Sequence, residues 1–378
     1  MAVEYNAYVP SPEEMQRRAL RADGNFIGTG MLFLVALSQF LYTIVVLGLV
    51  FFHVIPYAYV GLNDLGLGNT SYLLLYMGVY IVMMGAPLPV AALIQRRRIQ
   101  PFGPAKRVHP LAFAGGVLGG MAMCVVANII ASYIMNFLML LGIPQPPMPD
   151  TLTRTPLSLG LNLLIFAVLP ALLEEMVFRG YVLRTLRPYG DRTAILVSSL
   201  LFALMHGNVL QVPFAFIVGL VLGYVAVQTD NIWLAVVIHF GNNAMSTVLQ
   251  YLQIGMSAED QNRMTTLVFC VLALVGLLAL ILLKVRGSRL AAPVNRNGGG
   301  VPTTRHLSGL VGTGLYDCDH RVYSPHSAEH RAERGTGCGV KRNRTERGTW
   351  SWQTKPTCVW RWSWRGRRRR RARCRWGR

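Results

Sequence analysis

Two adjacent glutamates and an arginine, Glu174, Glu175 and Arg179, stand inside an apolar run from about Leu157 to Leu186. An ionisable group in hydrocarbon costs roughly 2.5–3.5 kcal/mol on insertion scales, so such a residue marks a functional site by default. Glu175 and Arg179 are four residues apart on one helix face and can pair. Glu174 lies about 100° round the helix from Glu175 and is free to face a cavity. A structural ion pair therefore accounts for Glu175 and Arg179 but leaves Glu174 over. Three further polar positions stand in apolar runs. His206 follows Phe202 by four residues, and His239 precedes Asn243 by four, on one face. Asn242, three residues after His239, is admissible on the same spacing. A lone membrane histidine often only packs. Two histidines, an asparagine and a glutamate pair on three helices are harder to dismiss as packing. Helix rise puts Glu174 about 18–20 Å from Arg187, His206 about 20 Å from Arg192 and His239 about 13 Å from Asp230, so the three can share a depth.

The elements that must position them are membrane helices. The chain has 378 residues and is 52% hydrophobic. A spanning helix needs about 20 apolar residues. Eight runs are candidates, at about 26–54, 71–94, 111–141, 157–186, 193–206, 212–228, 231–252 and 265–283. The fifth is short and is expected to begin or end in protein rather than lipid. The expected fold is all-α and polytopic, with about eight transmembrane helices and the site inside the bundle. Basic residues cluster in alternate links. Arg17, Arg18 and Arg21, then Arg96 to Arg98 with Lys106 and Arg107, then Arg184, Arg187 and Arg192, then Lys284, Arg286 and Arg289 fall on one side. The other side has Arg154 and Arg263. Both termini are accordingly expected in the cytoplasm. Pro170, four residues before Glu174, removes a helix hydrogen bond and favours a kink there. The pairs Gly115/Gly119, Gly116/Gly120 and Gly219/Gly223 permit close helix approach.

Three segments follow. Residues 1–25 form a polar N-terminal segment without a signal-peptide pattern, so the first span is expected to direct insertion. Residues 26–286 form the membrane domain, with the motif core at about 157–252. Residues 287–378 hold 21 Lys and Arg against 5 Asp and Glu, which is +16 of the chain's +20. This tail carries six of the seven tryptophans and Cys318, Cys338, Cys358 and Cys374. It lacks hydrophobic periodicity and reads as disordered. It is either a basic arm for anionic lipid or nucleic acid, or GC-rich DNA translated out of frame. Asn343-Arg344-Thr345 has the form of a glycosylation acceptor, on the side where it is not expected to be used. No zinc-type paired-cysteine spacing and no disulfide framework are implied. No nucleic acid is expected for the core.

Glu174-Glu175-x-x-x-Arg179, Phe202-x-x-x-His206 and His239-x-x-x-Asn243 together resemble the three signatures of the CPBP family, the CAAX prenyl endopeptidase-like and bacteriocin-processing intramembrane proteases. The resemblance covers about Leu157 to Leu252, in order. It implies a helical membrane fold and hydrolysis of a peptide bond in a membrane-associated protein or peptide. It also implies that Glu174 activates water with His206, that His239 and Asn243 bind the oxyanion, and that Glu175, Arg179 and Phe202 support them. A carboxylate in a dry cavity suits the base, and a histidine can pass the proton to the leaving amine. One oxyanion donor is worth roughly 3–4 kcal/mol. No serine or cysteine stands out as a nucleophile paired with a histidine. Glu174, His206 and His239 could ligate Zn²⁺ with one position open for water, hence the family's metalloprotease label. No His-Glu-x-x-His helix is present, and a metal-free Glu/His mechanism fits the same residues. The expected location is a bacterial plasma membrane, with lipid and the substrate as partners. Rival classes are a proton-coupled transporter, which would often show an internal repeat not visible here, and a non-catalytic immunity or scaffold protein on the same fold.

Overall fold

The computed structural model describes residues 10–57, 65–103, 106–144, 151–285, 343–344 and 350–351. Contacts divide the chain into two units, Met1–Asp317 and Cys318–Arg378. In the second, Asn343–Arg344 and Trp350–Ser351 pair antiparallel, with Asn343 opposite Ser351. The rest of the basic tail lies outside the described residues, as do its four cysteines. Among the described cysteines, Cys124 is buried and Cys270 exposed, and both are free.

The first unit is built from helices. α1 (Pro12–Phe51) starts where its sequence provides a capping box. Ser11 Oγ accepts from the Glu14 amide at 3.2 Å, and the Glu14 carboxylate accepts from the Ser11 amide at 2.9 Å. α2 (Asn69–Gly85) and α3 (Pro87–Ile94) follow, then α4 (Pro110–Leu140). A composite helix runs from Pro156 to Tyr189. It contains α5 (Pro156–Leu163), α6 (Leu169–Glu175) and α7 (Arg184–Leu186). After it come α8 (Asp191–Met205), α9 (Val212–Thr229), α10 (Ile232–Gln253) and α11 (Ala258–Val285). Among the described residues, seven helices are long and apolar enough to cross a membrane. The expected fifth span is α8, whose 15 residues are fewer than these crossings have. At the α-helical rise it reaches about 22 Å, against a hydrocarbon core of about 30 Å. The count of eight expected spans thus becomes seven long helices and one short one. The chain is an all-α, multi-pass membrane protein. Outward-facing residues agree: Leu32, Phe40 and Ile44 on α1, and Leu267, Leu274 and Leu282 on α11, are each more than half exposed. So broad an apolar surface suits lipid rather than water.

Small residues bring these helices together. A Cβ at Gly115 or Gly119 would meet Leu283 or Leu280 of α11, and one at Gly276 would lie 2.5 Å from the Leu118 carbonyl. At Gly219 a Cβ would lie 3.0–3.2 Å from Ser199 and Phe202, so α9 approaches α8 closely there.

The composite helix departs from regular α-geometry twice. Leu164–Val168 and Met176–Leu183 are π-turns, in which hydrogen bonds run five residues back. The Leu169 amide accordingly donates to the Leu164 carbonyl. The distortion expected at Pro170 is present as this widened turn. Such turns recur at functional sites.

One end of the bundle gathers charge. Arg187 bonds Asp191 at 3.1 Å and Asp230 at 2.6 Å, and Lys106 reaches Asp230 at 3.2 Å. Arg97 pairs with Asp23, which also accepts from Tyr189 Oη at 2.7 Å. Partial burial pushes Asp230 up, but the hydrogen bonds from Arg187 and Lys106 outweigh it and hold the carboxyl below its ordinary value.

Candidate active site

α6, the π-turn after it and α10 supply the centre of the site. Glu174 and Glu175 end α6, and Arg179 lies in the π-turn. All three are buried, with Glu175 fully so. Arg179 Nη1 donates to Glu175 Oε1 at 2.9 Å, the pair expected from their spacing. Its Nη2 donates to the Gly219 carbonyl at 3.1 Å, which the close approach of α9 makes reachable. The guanidinium also stacks 4.7 Å from the centre of the Phe202 ring.

His239, buried on α10, stands between the two carboxylates. Its Nδ1 lies 3.0 Å from Glu175 Oε1, and its Nε2 lies 3.7 Å from Glu174 Oε2. Glu175 therefore orients the imidazole with Nε2 turned towards Glu174. The Nε2–Oε2 separation is too long for a direct hydrogen bond, but both atoms can bond one shared water. With His239 neutral, two carboxylates and one guanidinium leave one net negative charge.

Glu174 is not free, as its spacing from Arg179 had suggested. Tyr80 of α2 donates to Glu174 Oε1 at 2.7 Å. Sequence reasoning missed this residue, although Tyr72, Tyr76 and Tyr80 recur every four residues and stripe one face of an apolar helix. The stripe borders a cavity of about 390 Å³ lined by Ser38, Tyr42, Tyr72, Tyr76, Tyr80 and Met83, among others.

His206, half-buried at the end of α8, has its Nδ1 2.8 Å from the Phe202 carbonyl. Its ring and that of His239 both meet Phe202 edge-on, at 5.0 and 5.9 Å. Phe202 thus stands among both histidines and Arg179. No ion pair links His206 to either glutamate; His239 is the imidazole that reaches them. Asn243 Nδ2 donates to the Phe166 carbonyl at 3.0 Å, and Asn243 Oδ1 accepts from Asn242 Nδ2 at 3.1 Å. Phe166 is four residues before Pro170, so its carbonyl is the one that the missing proline N–H cannot satisfy. Asn243 fills that vacancy from across the helix interface. Among the described residues, Glu175 Oε2, Arg179 Nε and Asn242 Oδ1 are buried without a partner.

Glu174, His206 and His239, the possible ligands of a zinc ion, are not brought together as one set. No three His, Cys, Asp or Glu side chains among the described residues form a group that could hold a metal ion. Glu174 and His239 approach each other, but His206 does not complete a set with them.

A multi-pass helical protein with a buried carboxylate–imidazole pair on distorted helices is the class these features define. Residues 156–245 match the family model described as type II CAAX prenyl endopeptidase, Rce1-like. Over this segment the chain is similar to the CAAX prenyl endopeptidase family, in agreement with the resemblance carried by the three motifs. No curated protein and no solved structure matches the chain.

Proposed function

We propose that this chain is an intramembrane endopeptidase that cleaves a membrane-associated protein or peptide of CAAX or leader type, with Glu174 as general base. The observation that carries this reading is the buried Glu174 carboxylate, whose Oε2 lies 3.7 Å from His239 Nε2 within the family-matched segment. Water bonded to Glu174 gives a proton to its carboxylate as the water oxygen bonds to the scissile carbonyl carbon, and that proton passes to the leaving amine as the C–N bond breaks. His239 in its imidazolium form donates from Nε2 to the developing oxyanion, while Nδ1 remains on Glu175. His206, with Nδ1 engaged by the Phe202 carbonyl, presents Nε2 for the water or the leaving amine. Asn243 supports this cluster through Phe166, and its second amide hydrogen is a further candidate donor. The scheme needs no metal. The catalytic domain is residues 26–286, in the plasma membrane, with both termini cytoplasmic. The family match gives the transporter and scaffold readings no support.

The test is cleavage of a farnesylated CAAX-type peptide and an unprenylated leader-type peptide by the purified full chain in lipid vesicles. Glu174→Gln removes the proton acceptor and keeps the side-chain shape. Its rate should fall about 100- to 10,000-fold, the usual contribution of a positioned general base, while the melting temperature changes little. Chelators should leave the wild-type rate unchanged. A Glu174→Gln protein that cleaves at the wild-type rate overturns the mechanism, and failure of the wild-type chain to cut either peptide overturns the activity.

A further inference from the structure

We propose that Tyr80 is a positioning residue for the base, holding Glu174 so that one carboxylate oxygen stays aimed at His239 and the attacking water. This inference rests on Glu174 being the base. Tyr80 Oη donates to Glu174 Oε1 at 2.7 Å, across 94 residues of sequence. The same carboxylate's Oε2 is the atom 3.7 Å from His239 Nε2. Each oxygen is thus committed to a different direction, and rotation of the carboxylate breaks the Tyr80 bond. Glu174 makes no ion pair of its own with Arg179, whose Nη1 is taken by Glu175. Tyr80 is therefore the neutral donor that restrains Glu174 without cancelling its charge. A lysine or arginine in that place would neutralise the base instead.

The ring is held for the task. Tyr80 is 8% exposed, and its ring stacks on Tyr76 with centroids 6.1 Å apart and planes 17° apart. Tyr76 in turn packs on Phe166 at 5.7 Å, the residue whose carbonyl takes the Asn243 amide. The aromatic column therefore links α2 to the distorted turn just before Glu174. Its other flank faces the 390 Å³ cavity.

Tyr80→Phe deletes the hydroxyl and keeps the ring. The expected result is a fall in kcat of about 10- to 100-fold, the kinetic equivalent of one hydrogen bond to a charged group, with KM within about twofold and melting temperature unchanged. Tyr76→Phe, which keeps the stack and touches no carboxylate, should leave kcat near wild type. The decisive measurement is a double-mutant cycle with Glu174→Asp, whose shortened side chain withdraws from Tyr80 but retains a carboxylate. Adding Tyr80→Phe to Glu174→Asp should cost little further. Wild-type kcat in Tyr80→Phe overturns the proposal. So does an equal loss from Tyr80→Phe in both backgrounds, or a loss that follows a lowered melting temperature, since either is what mere packing would give. If Glu174→Gln itself retains wild-type activity, the reading of Glu174 as the base fails instead, and the two failures are distinct.

Discussion

At the scale of single residues, Glu175 serves its neighbours rather than the substrate. One of its oxygens takes both Arg179 Nη1 and His239 Nδ1, and none of the three side chains has appreciable solvent contact. Removing one member of a buried ion pair costs roughly 3–5 kcal/mol, because the other charge stays buried. Glu175→Gln should therefore lower the melting temperature or the yield of folded protein as well as the rate. Glu175→Gln with Arg179→Met leaves no orphaned charge, and the glutamine carbonyl can still accept from His239 Nδ1. That double variant should recover part of the stability, read as the melting temperature in detergent. A Glu175→Gln protein that melts like the wild type would show that the pair carries no weight. The Glu175–Arg179 bond was legible in the sequence because it lies within one helix, where four-residue spacing sets the geometry. The bonds of Glu174 to Tyr80 and of Glu175 to His239 were not. Their partners are 94 and 64 residues away, and no local spacing encodes them. The split between a working and a supporting glutamate was visible, but the donor on the working one was not.

At the scale of elements, the first π-turn of the composite helix lies beside one proline and is bonded by one asparagine on another helix. Pro170 cannot donate to Phe166, the turn before it widens, and Asn243 Nδ2 takes the released carbonyl at 3.0 Å. Leaving a buried acceptor unsatisfied costs about 1–3 kcal/mol. Asn243→Ala should destabilise the protein by about that amount, since it strips this side-chain bond from the Phe166 carbonyl. Pro170→Ala restores a backbone donor for Phe166. In that background Asn243→Ala should cost markedly less, and chemical or thermal unfolding of the four proteins closes the cycle. Equal costs in both backgrounds would show that Asn243 does not compensate for the proline. The distortion itself was readable from Pro170. Its form as a π-turn was not, because a proline interrupts the regular ladder without specifying how the chain absorbs the loss. The face shared by His239 and Asn243 was equally readable, whereas the destination of the amide depends on how α10 lies against the composite helix. The expected eight spans met a similar limit. Apolar length cannot tell a short buried helix from a crossing, and α8 buries Ala194, Ser198, Ser199, Phe202 and Ala203 against its neighbours.

At the scale of the whole molecule, charge and helix count together make a claim about sidedness. Asp23, Arg97, Lys106, Arg187, Asp191 and Asp230 are joined in pairs at one end of the bundle. These residues come from links that the distribution of arginine and lysine assigns to one side, and folding thus brings together what the positive-inside rule groups. At the far ends, among the described residues, the ion pairs are those of Arg263 with Glu259 and Asp260 at the start of α11. Thr70 at the start of α2 and Ser257 before α11 stand there, away from Lys106 in the link before α4. The short α8 matters to the inference, because the alternation requires it to count as a crossing despite its 15 residues. With α8 counted, Ser257 falls on the outer side, and without it Ser257 falls on the inner side. The experiment replaces the native cysteines and places single ones at Thr70, Lys106 and Ser257 in intact cells. A membrane-impermeant maleimide should label the Thr70 and Ser257 positions from outside, and the Lys106 position only after the membrane is opened. Labelling of Thr70 but not Ser257 would mean that α8 does not carry the chain across. Labelling of Lys106 from outside would invert the molecule and place the charged end, with the loops nearest the base, on the opposite face of the membrane.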